Sequence, residues 1–220
     1  MALITAEKLA VGFGSWIVAD DIDFEIESGD FVCIVGENGS GKSTLMKTML
    51  GLLPPVKGRV LLDDGLKRTE IGYLGQQTDV QRDFPATVEE IVLSGCLNSC
   101  GRRPFFNHND RKKAETNMVR TGVLDLRRRC YRELSGGQQQ RVLLARALCA
   151  STRVILLDEP VTSLDPNSSA EMYRILEQLN RSGMTIVMVS HDIGSSLACA
   201  TKVLDMGKTT VMMPVGEYHV

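Results

Sequence analysis

The stretch Gly36-Glu37-Asn38-Gly39-Ser40-Gly41-Lys42-Ser43-Thr44 constrains this chain more than any other. It fits G-x-x-x-x-G-K-[ST], with Gly39 as an additional glycine inside. The apolar run Phe31-Val32-Cys33-Ile34-Val35 precedes it, and Leu45, Met46, Met49 and Leu50 follow at helical spacing, so the local order reads strand, glycine loop, helix. In that setting the glycines let backbone N–H groups close around phosphate oxygens, and the helix N-terminus adds its partial positive charge. Lys42 then reaches the β- and γ-phosphates, and Ser43 offers its hydroxyl to Mg²⁺. A plain glycine turn between a strand and a helix does not account for the full motif.

At 220 residues, 43% apolar and 24% charged, the chain has the size and composition of one nucleotide-binding unit with room for an inserted subdomain. Its net charge of −2 leaves no electrostatic footprint for nucleic acid, and none is expected as a partner. The N-terminal residues lack a basic segment followed by an apolar core, so no signal peptide is expected. The longest apolar runs, about five residues, fall far short of the roughly 18 to 20 that cross a bilayer. A cytosolic protein is expected. Cys33, Cys96, Cys100, Cys130, Cys149 and Cys199 are scattered, mostly in apolar segments and without a C-x-x-C pair, which reads as reduced core thiols. Cys96 and Cys100 share a helix face, but no histidines stand at metal-site spacing beside them.

The first thirty residues read as strands. Ile22, Phe24 and Ile26 alternate with Asp23, Glu25 and Glu27, a half-buried antiparallel pattern, and Ser28-Gly29-Asp30 supplies a turn. Phe13 and Trp16 either stack on a purine ring or cover a sheet edge. The helix after the glycine loop is predicted to run to about Gly51, with Pro54-Pro55 stopping it. Strands are predicted at Val60-Leu61-Leu62 and Ile71-Gly72-Tyr73-Leu74, the second delivering Gln76-Gln77 where a side chain reaches a bound Mg²⁺ or water. From about Thr78 to Arg132 the pattern turns helical: Val88 to Cys96, and Asp110 to Leu126 with Ala114, Met118 and Val119 marking one face. Between them the loop Gly101 to His108 carries Phe105-Phe106, either a core cap or a docking surface. His108 and Arg127-Arg128-Arg129 read as solvated.

Ser135-Gly136-Gly137-Gln138 opens a further helix with a capping-box pattern, and its two glycines allow close approach from outside. Val154-Ile155-Leu156-Leu157-Asp158-Glu159 describes a buried parallel strand ending in paired carboxylates, where α/β sheets place ligands. Asp158 suits a Mg²⁺ shell, and Glu159 suits orienting or deprotonating a water. Asp165 and Pro166 read as N-cap and first residue of a helix whose stripe is Met172, Ile175, Leu176 and Leu179, ended by Gly183. Thr185 to Val189 is another buried strand, delivering His191, which we read as functional. The chain closes with a hairpin, Lys202 to Met206 and Thr209 to Met213, turning at Gly207-Lys208.

Taken together, these motifs resemble the ATP-binding subunits of ABC transporters over nearly the whole chain. The stretch Leu134-Ser135-Gly136-Gly137-Gln138, placed between the glycine loop and the Asp158-Glu159 strand, is the most specific part of the likeness. The resemblance implies an α/β P-loop NTPase fold: a parallel-sheet core with an N-terminal antiparallel β subdomain (core 1–77 and 151–220) and an inserted α-helical subdomain (about 78–150). It implies ATP and Mg²⁺ as ligands, with Gly36, Asn38, Gly39, Ser40, Gly41, Lys42, Ser43 and Thr44 on the nucleotide. By the same likeness, Gln76 couples nucleotide to a membrane partner and joins Ser43 and Asp158 on Mg²⁺. Asp165 communicates across a dimer, His191 contacts the γ-phosphate, and Phe13 takes an adenine-stacking position. A head-to-tail homodimer or paired ATPase subunits are implied, with Ser135, Gly136 and Gly137 of one copy completing the site of the other. Transmembrane permease subunits, meeting the helical segment, and an extracytoplasmic substrate-binding protein are the further implied partners. The place implied is peripheral, on the inner face of the cell membrane. Ile71 to Gln76 followed by Asp83 to Val88 looks like the subgroup importing zinc and manganese, although Gly75 stands where that group usually has Pro and Val161 is also unusual. Another substrate, export, or a soluble ABC-type ATPase is the alternative; the last usually has tandem units or a long coiled coil, and this chain has neither.

Overall fold

The computed structural model describes every residue except Met1, Asp64, 77–82, Arg102, Thr152, Lys208 and Val220, and its framework is two sheets. Strands β1 (Ala2–Phe13), β2 (Trp16–Glu27) and β4 (Lys57–Leu62) form the smaller, antiparallel sheet in the order β2-β1-β4. On β2, Ile22, Phe24 and Ile26 are buried while Asp21, Asp23 and Glu25 are exposed, the period of two that a one-sided strand requires. Gly29, at positive φ, turns the chain into β3 (Phe31–Val35).

The larger sheet adds β5 (Ile71–Leu74), β6 (Val154–Asp158), β7 (Thr185–Val189), β8 (Lys202–Met206) and β9 (Thr210–Pro214), in the order β5-β6-β7-β3-β8-β9. All neighbours are parallel except β9, which pairs antiparallel with β8. Every residue of β3, β6 and β7 is buried, because both faces of the sheet are covered. Val32, Ile34, Val187 and Val189 face one layer, made by the small sheet and helix α1 (Lys42–Met49). Phe31, Cys33, Val35, Ile186 and Met188 face the other.

That second face is covered by residues of α5 (Gly136–Ala150), α6 (Pro166–Arg181) and α7 (Ile193–Cys199). On α6, Met172, Ile175, Leu176 and Leu179 are buried at the expected spacing. A third cluster joins α5 to α2 (Val88–Ser94) and α4 (His108–Arg120), with the short α3 (Leu97–Cys100) between them. Thr87 and Glu90 cap α2 reciprocally, and Asn107 and Asp110 do the same for α4, so α4 starts before Asp110.

Three helical expectations are corrected. The helix expected at Val88 to Cys96 stops at Ser94. The one expected to reach Leu126 stops at Arg120; Gly122 turns at φ 66° and a separate 3₁₀ turn, Leu124–Leu126, follows. Val119 is 58% exposed while Ala114 and Met118 are buried, since one residue along a helix rotates the side chain by about 100° off the stripe. The helix after the glycine loop ends at Met49 with Leu50 as its cap, and Gly51 follows at φ 73°, in line with the stop expected at about Gly51. Of the Phe105-Phe106 pair, Phe106 packs on the helical core, as a core cap does, and Phe105 is 83% exposed. Of the sequence readings, the boundary at 77/78, Gln77, Arg102 in the loop and Lys208 in the final turn lie outside the described residues. All six cysteines are free thiols.

Candidate nucleotide site

The glycine loop leaves β3 at Val35 and enters α1 at Lys42. Gly36 has φ 145°, and a β-carbon there meets the Met206 carbonyl oxygen at 2.8 Å, so only glycine passes this point. Gly41, the N-cap residue of α1, has φ 96°, again a glycine conformation. Lys42 lies back along the loop: Nζ donates to the carbonyl oxygens of Gly36 at 2.8 Å and Glu37 at 2.7 Å. Burial pushes its ammonium below the usual lysine range, while Glu159 and Asp158 pull it back upward. Ser40 Oγ is buried, with no hydrogen-bond partner among the described residues. A buried, unpartnered hydroxyl on a glycine loop is a donor suited to a phosphate oxygen. Asn38 and Gly39 are exposed at the loop tip, and Thr44 is buried in the first turn of α1.

Asp158 ends β6, two strands away from β3 in the sheet, and is 4% exposed. Ser43 Oγ donates to its Oδ1 at 3.2 Å, and the Tyr73 hydroxyl stands 3.5 Å from Oδ2. Burial raises the carboxyl pKa above its ordinary value and the neighbouring Glu159 adds to this; the Ser43 and Tyr73 contacts oppose it. Among the described residues no Lys or Arg forms an ion pair with Asp158. A buried carboxylate beside a serine hydroxyl, with no ion-paired Lys or Arg among the described residues, is a hard-oxygen pair that fits Mg²⁺.

Glu159 follows in the left-handed region, at φ 53°. That conformation is uncommon for a residue with a side chain, and its N–H is held by the Val189 carbonyl at the end of β7 at 3.1 Å. The strained turn swings the carboxylate off the strand axis. Oε1 meets His191 Nε2 at 2.9 Å, and Oε2 accepts from Thr162 Oγ1 at 3.1 Å. Gln76 is exposed and borders two hollows. One, of about 640 Å³, runs along Ser43, Tyr73 and Asp158. The other, of about 380 Å³, is lined by Arg132, Gly136 and Glu159. The C-terminal ends of the parallel strands thus gather the glycine loop, Ser43, Asp158, Glu159, His191 and Gln76.

The remaining sequence candidates stand apart. Ser135 caps α5, its Oγ accepting from the Gln138 N–H at 3.4 Å while Gln138 Oε1 accepts from the Ser135 N–H at 3.0 Å. Among the described residues no hydrogen bond joins Ser135, Gly136 or Gly137 to the glycine loop. The two glycines, read from sequence as room for an outside approach, differ. Gly136 is exposed with nothing nearer its β-position than Leu164 at 3.9 Å, whereas Gly137 is buried with Ser168 Oγ of α6 at 2.4 Å. Gly137 is therefore required by packing within the chain. Asp165 caps α6, accepting from the N–H groups of Asn167 at 3.1 Å and Ser168 at 3.0 Å. Phe13 and Trp16 pair across the tip of the β1–β2 hairpin, 58% and 75% exposed. Three features had no local signal in the sequence: the Tyr73 contact, the Ser168 contact and the conformation of Glu159.

A phosphate-binding turn closing a parallel strand, with a buried carboxylate beside its serine, defines a P-loop nucleoside triphosphatase. A profile of the ABC transporter family matches residues 19–162. The chain belongs to that family, as an ATP-binding subunit that hydrolyses ATP to drive transport. It is 40% identical over 197 residues to a Chlamydia muridarum protein named "Probable metal transport system ATP-binding protein", covering 89% of this chain and 83% of the relative. Two Bacillus subtilis proteins are also similar. The manganese transport system ATP-binding protein MntB is 35% identical over 86% of this chain and 77% of its own length. The high-affinity zinc uptake system ATP-binding protein ZnuC is 37% identical over 87% and 85%. Among solved structures, a dimeric ATP-binding cassette in a post-hydrolysis state with ADP and Pi superposes with TM-score 0.77 at 27% identity, covering 98% of this chain and 100% of that one. No described helix is long and apolar enough to cross a membrane.

Proposed function

We propose that this subunit powers import of a divalent metal ion, zinc or manganese. In this reading it works as a head-to-tail pair of ATPase subunits on the cytoplasmic face of the cell membrane, bound to a transmembrane permease that an extracytoplasmic binding protein supplies. The metal assignment draws on the printed names of its relatives. The observation that carries the catalytic assignment is the meeting of Glu159 and His191 at 2.9 Å beside the Ser43–Asp158 pair.

The loop from Gly36 to Thr44 wraps the β- and γ-phosphates with its N–H groups, the Ser40 hydroxyl and the Lys42 ammonium, which leaves its two carbonyl partners to do so. Ser43 and Asp158, with Gln76, would hold Mg²⁺, which would neutralise phosphate charge. Glu159 accepts a proton from a water lined up behind the γ-phosphate, and His191 keeps that carboxylate in place and senses the phosphate. Phe13 stacks on the adenine. Ser135, Gly136 and Gly137 of a second copy cover the phosphate from the other side, and Asp165 reports across that contact. The helical subdomain, 78–150, offers exposed Phe105 and the hollow beside Gln76 to the permease.

Cells lacking the chain test this by uptake of radiolabelled zinc and manganese. Restoration of uptake by wild-type protein, and not by Lys42→Ala, is expected. Uptake of both metals unaffected by loss of the chain removes the metal assignment, and ATP hydrolysis unaffected by Lys42→Ala removes the site assignment.

A further inference from the structure

We propose that Tyr73 is a positioning residue for the carboxylate of Asp158, and that Gly75 gives its ring the room to act. This rests on the reading of Ser43 and Asp158 as magnesium ligands. The two oxygens of Asp158 are approached by one hydroxyl each, Oδ1 by Ser43 at 3.2 Å and Oδ2 by Tyr73 at 3.5 Å. The second contact is at the long end of a hydrogen bond, but both partners are fixed. Asp158 closes a strand buried at every position, and the half-buried Tyr73 ring packs on the core beneath the small sheet. Tyr73 and Asp158 both border the hollow of about 640 Å³ that Gln76 enters.

Gly75 decides where that ring lies. A β-carbon at this position stands 2.9 Å from Tyr73 Cε1 and 3.1 Å from both Cζ and the hydroxyl oxygen. Atoms do not pack that closely, so any other residue here pushes the ring, and the hydroxyl with it, away from its present place. Tyr73 and Gly75 thus act as one unit.

The consequence concerns metal binding. Ser43 and Tyr73 supply the hydrogen bonds to the Asp158 carboxylate found among the described residues. Ser43 and the Asp158 carboxylate would together hold the metal, and their present contact is made at Oδ1. Tyr73 then remains on Oδ2, holding the carboxylate plane so that Oδ1 keeps its aim. Outer partners of this kind raise metal affinity by orienting the ligand, without touching the metal.

The test is Mn²⁺ binding to the full chain, followed by electron paramagnetic resonance with a saturating non-hydrolysable ATP analogue, alongside metal-free binding of the same analogue. Tyr73→Phe is expected to raise the half-saturating Mn²⁺ concentration about three- to tenfold, the loss of one modest hydrogen bond, with metal-free binding unchanged. Gly75→Ala should raise it similarly, and the double variant no further than either single one. An unchanged Mn²⁺ midpoint in Tyr73→Phe, an equal loss of metal-free binding, or additive effects in the double variant overturns the inference. Wild-type protein whose nucleotide binding ignores metal overturns the magnesium reading itself, and this inference with it; wild-type protein that needs metal while Tyr73→Phe behaves identically overturns this inference alone.

Discussion

Glu159 and His191, separated by 32 positions in the chain, meet at 2.9 Å because β6 and β7 lie side by side and end level. The left-handed turn at Glu159 and the end of β7 aim the two side chains at the same point. Replacing Glu159 by Gln keeps the shape and removes the base. ATP binding should persist while hydrolysis falls by about 10²- to 10⁴-fold, leaving an ATP-dependent dimer visible by size-exclusion chromatography. Undiminished turnover in this variant would sink the role given to Glu159.

Gly136 and Gly137 should differ in how much a side chain costs the fold. A β-carbon at 137 stands 2.4 Å from Ser168 Oγ and 2.7 Å from Ser168 Cβ, so Gly137→Ala must part α5 from α6. Overpacking of that kind costs about 1–3 kcal/mol, and Ser168→Gly in the same chain should recover most of it. Gly136→Ala meets nothing closer than 3.9 Å and should melt near the wild type, while weakening ATP-driven dimerisation if this surface covers a partner's nucleotide. Thermal melts with and without ATP distinguish the two.

Asp165 has a structural duty as the cap of α6, besides any part in a dimer. Asp165→Ala leaves the N–H groups of Asn167 and Ser168 without their acceptor, which costs about 1 kcal/mol. Asp165→Asn caps equally well and should melt like the wild type. A dimer defect in Asp165→Asn without loss of melting temperature therefore reports on communication alone, and equal melting of Asp165→Ala and wild type would contradict the capping role.

Asp158 should trade stability for metal binding. Burial and Glu159 hold its folded pKa above the unfolded value, so the ionised carboxylate destabilises the fold at neutral pH. That cost begins to fall as pH drops through the folded pKa, where the group takes up its proton, and is gone below the unfolded pKa. Asp158→Asn should thus raise the melting temperature at neutral pH, with the advantage shrinking as pH drops into the carboxylate range. The same variant should lose magnesium-dependent hydrolysis. A melting temperature lower than wild type at neutral pH would contradict the argument.

The local sequence determined the elements and many of their ends. Alternation at Ile22, Phe24 and Ile26 gave a one-sided strand, unbroken apolar runs gave β3, β6 and β7, and the capping residues Ser135 and Asp165 mark the helix starts seen. These features are legible because they depend on neighbours within a few positions. Where two effects compete at short range the reading slips, as at Val119, which is apolar yet faces out, and at Gly122, which ends α4 early. The glycine loop and its lysine were evident from the motif and its flanks. The contacts that make a site of it were not. Ser43 against Asp158, Glu159 against His191, Tyr73 folded over Gly75 and Gly137 pressed on Ser168 are all set by the strand order β5-β6-β7-β3-β8-β9 and the helices laid across it. No periodicity records which strands become neighbours, because that choice is made by burying both faces of the sheet at once. The sequence by itself determined that a phosphate loop exists; the tertiary structure decided which carboxylates, hydroxyls and imidazole stand around it.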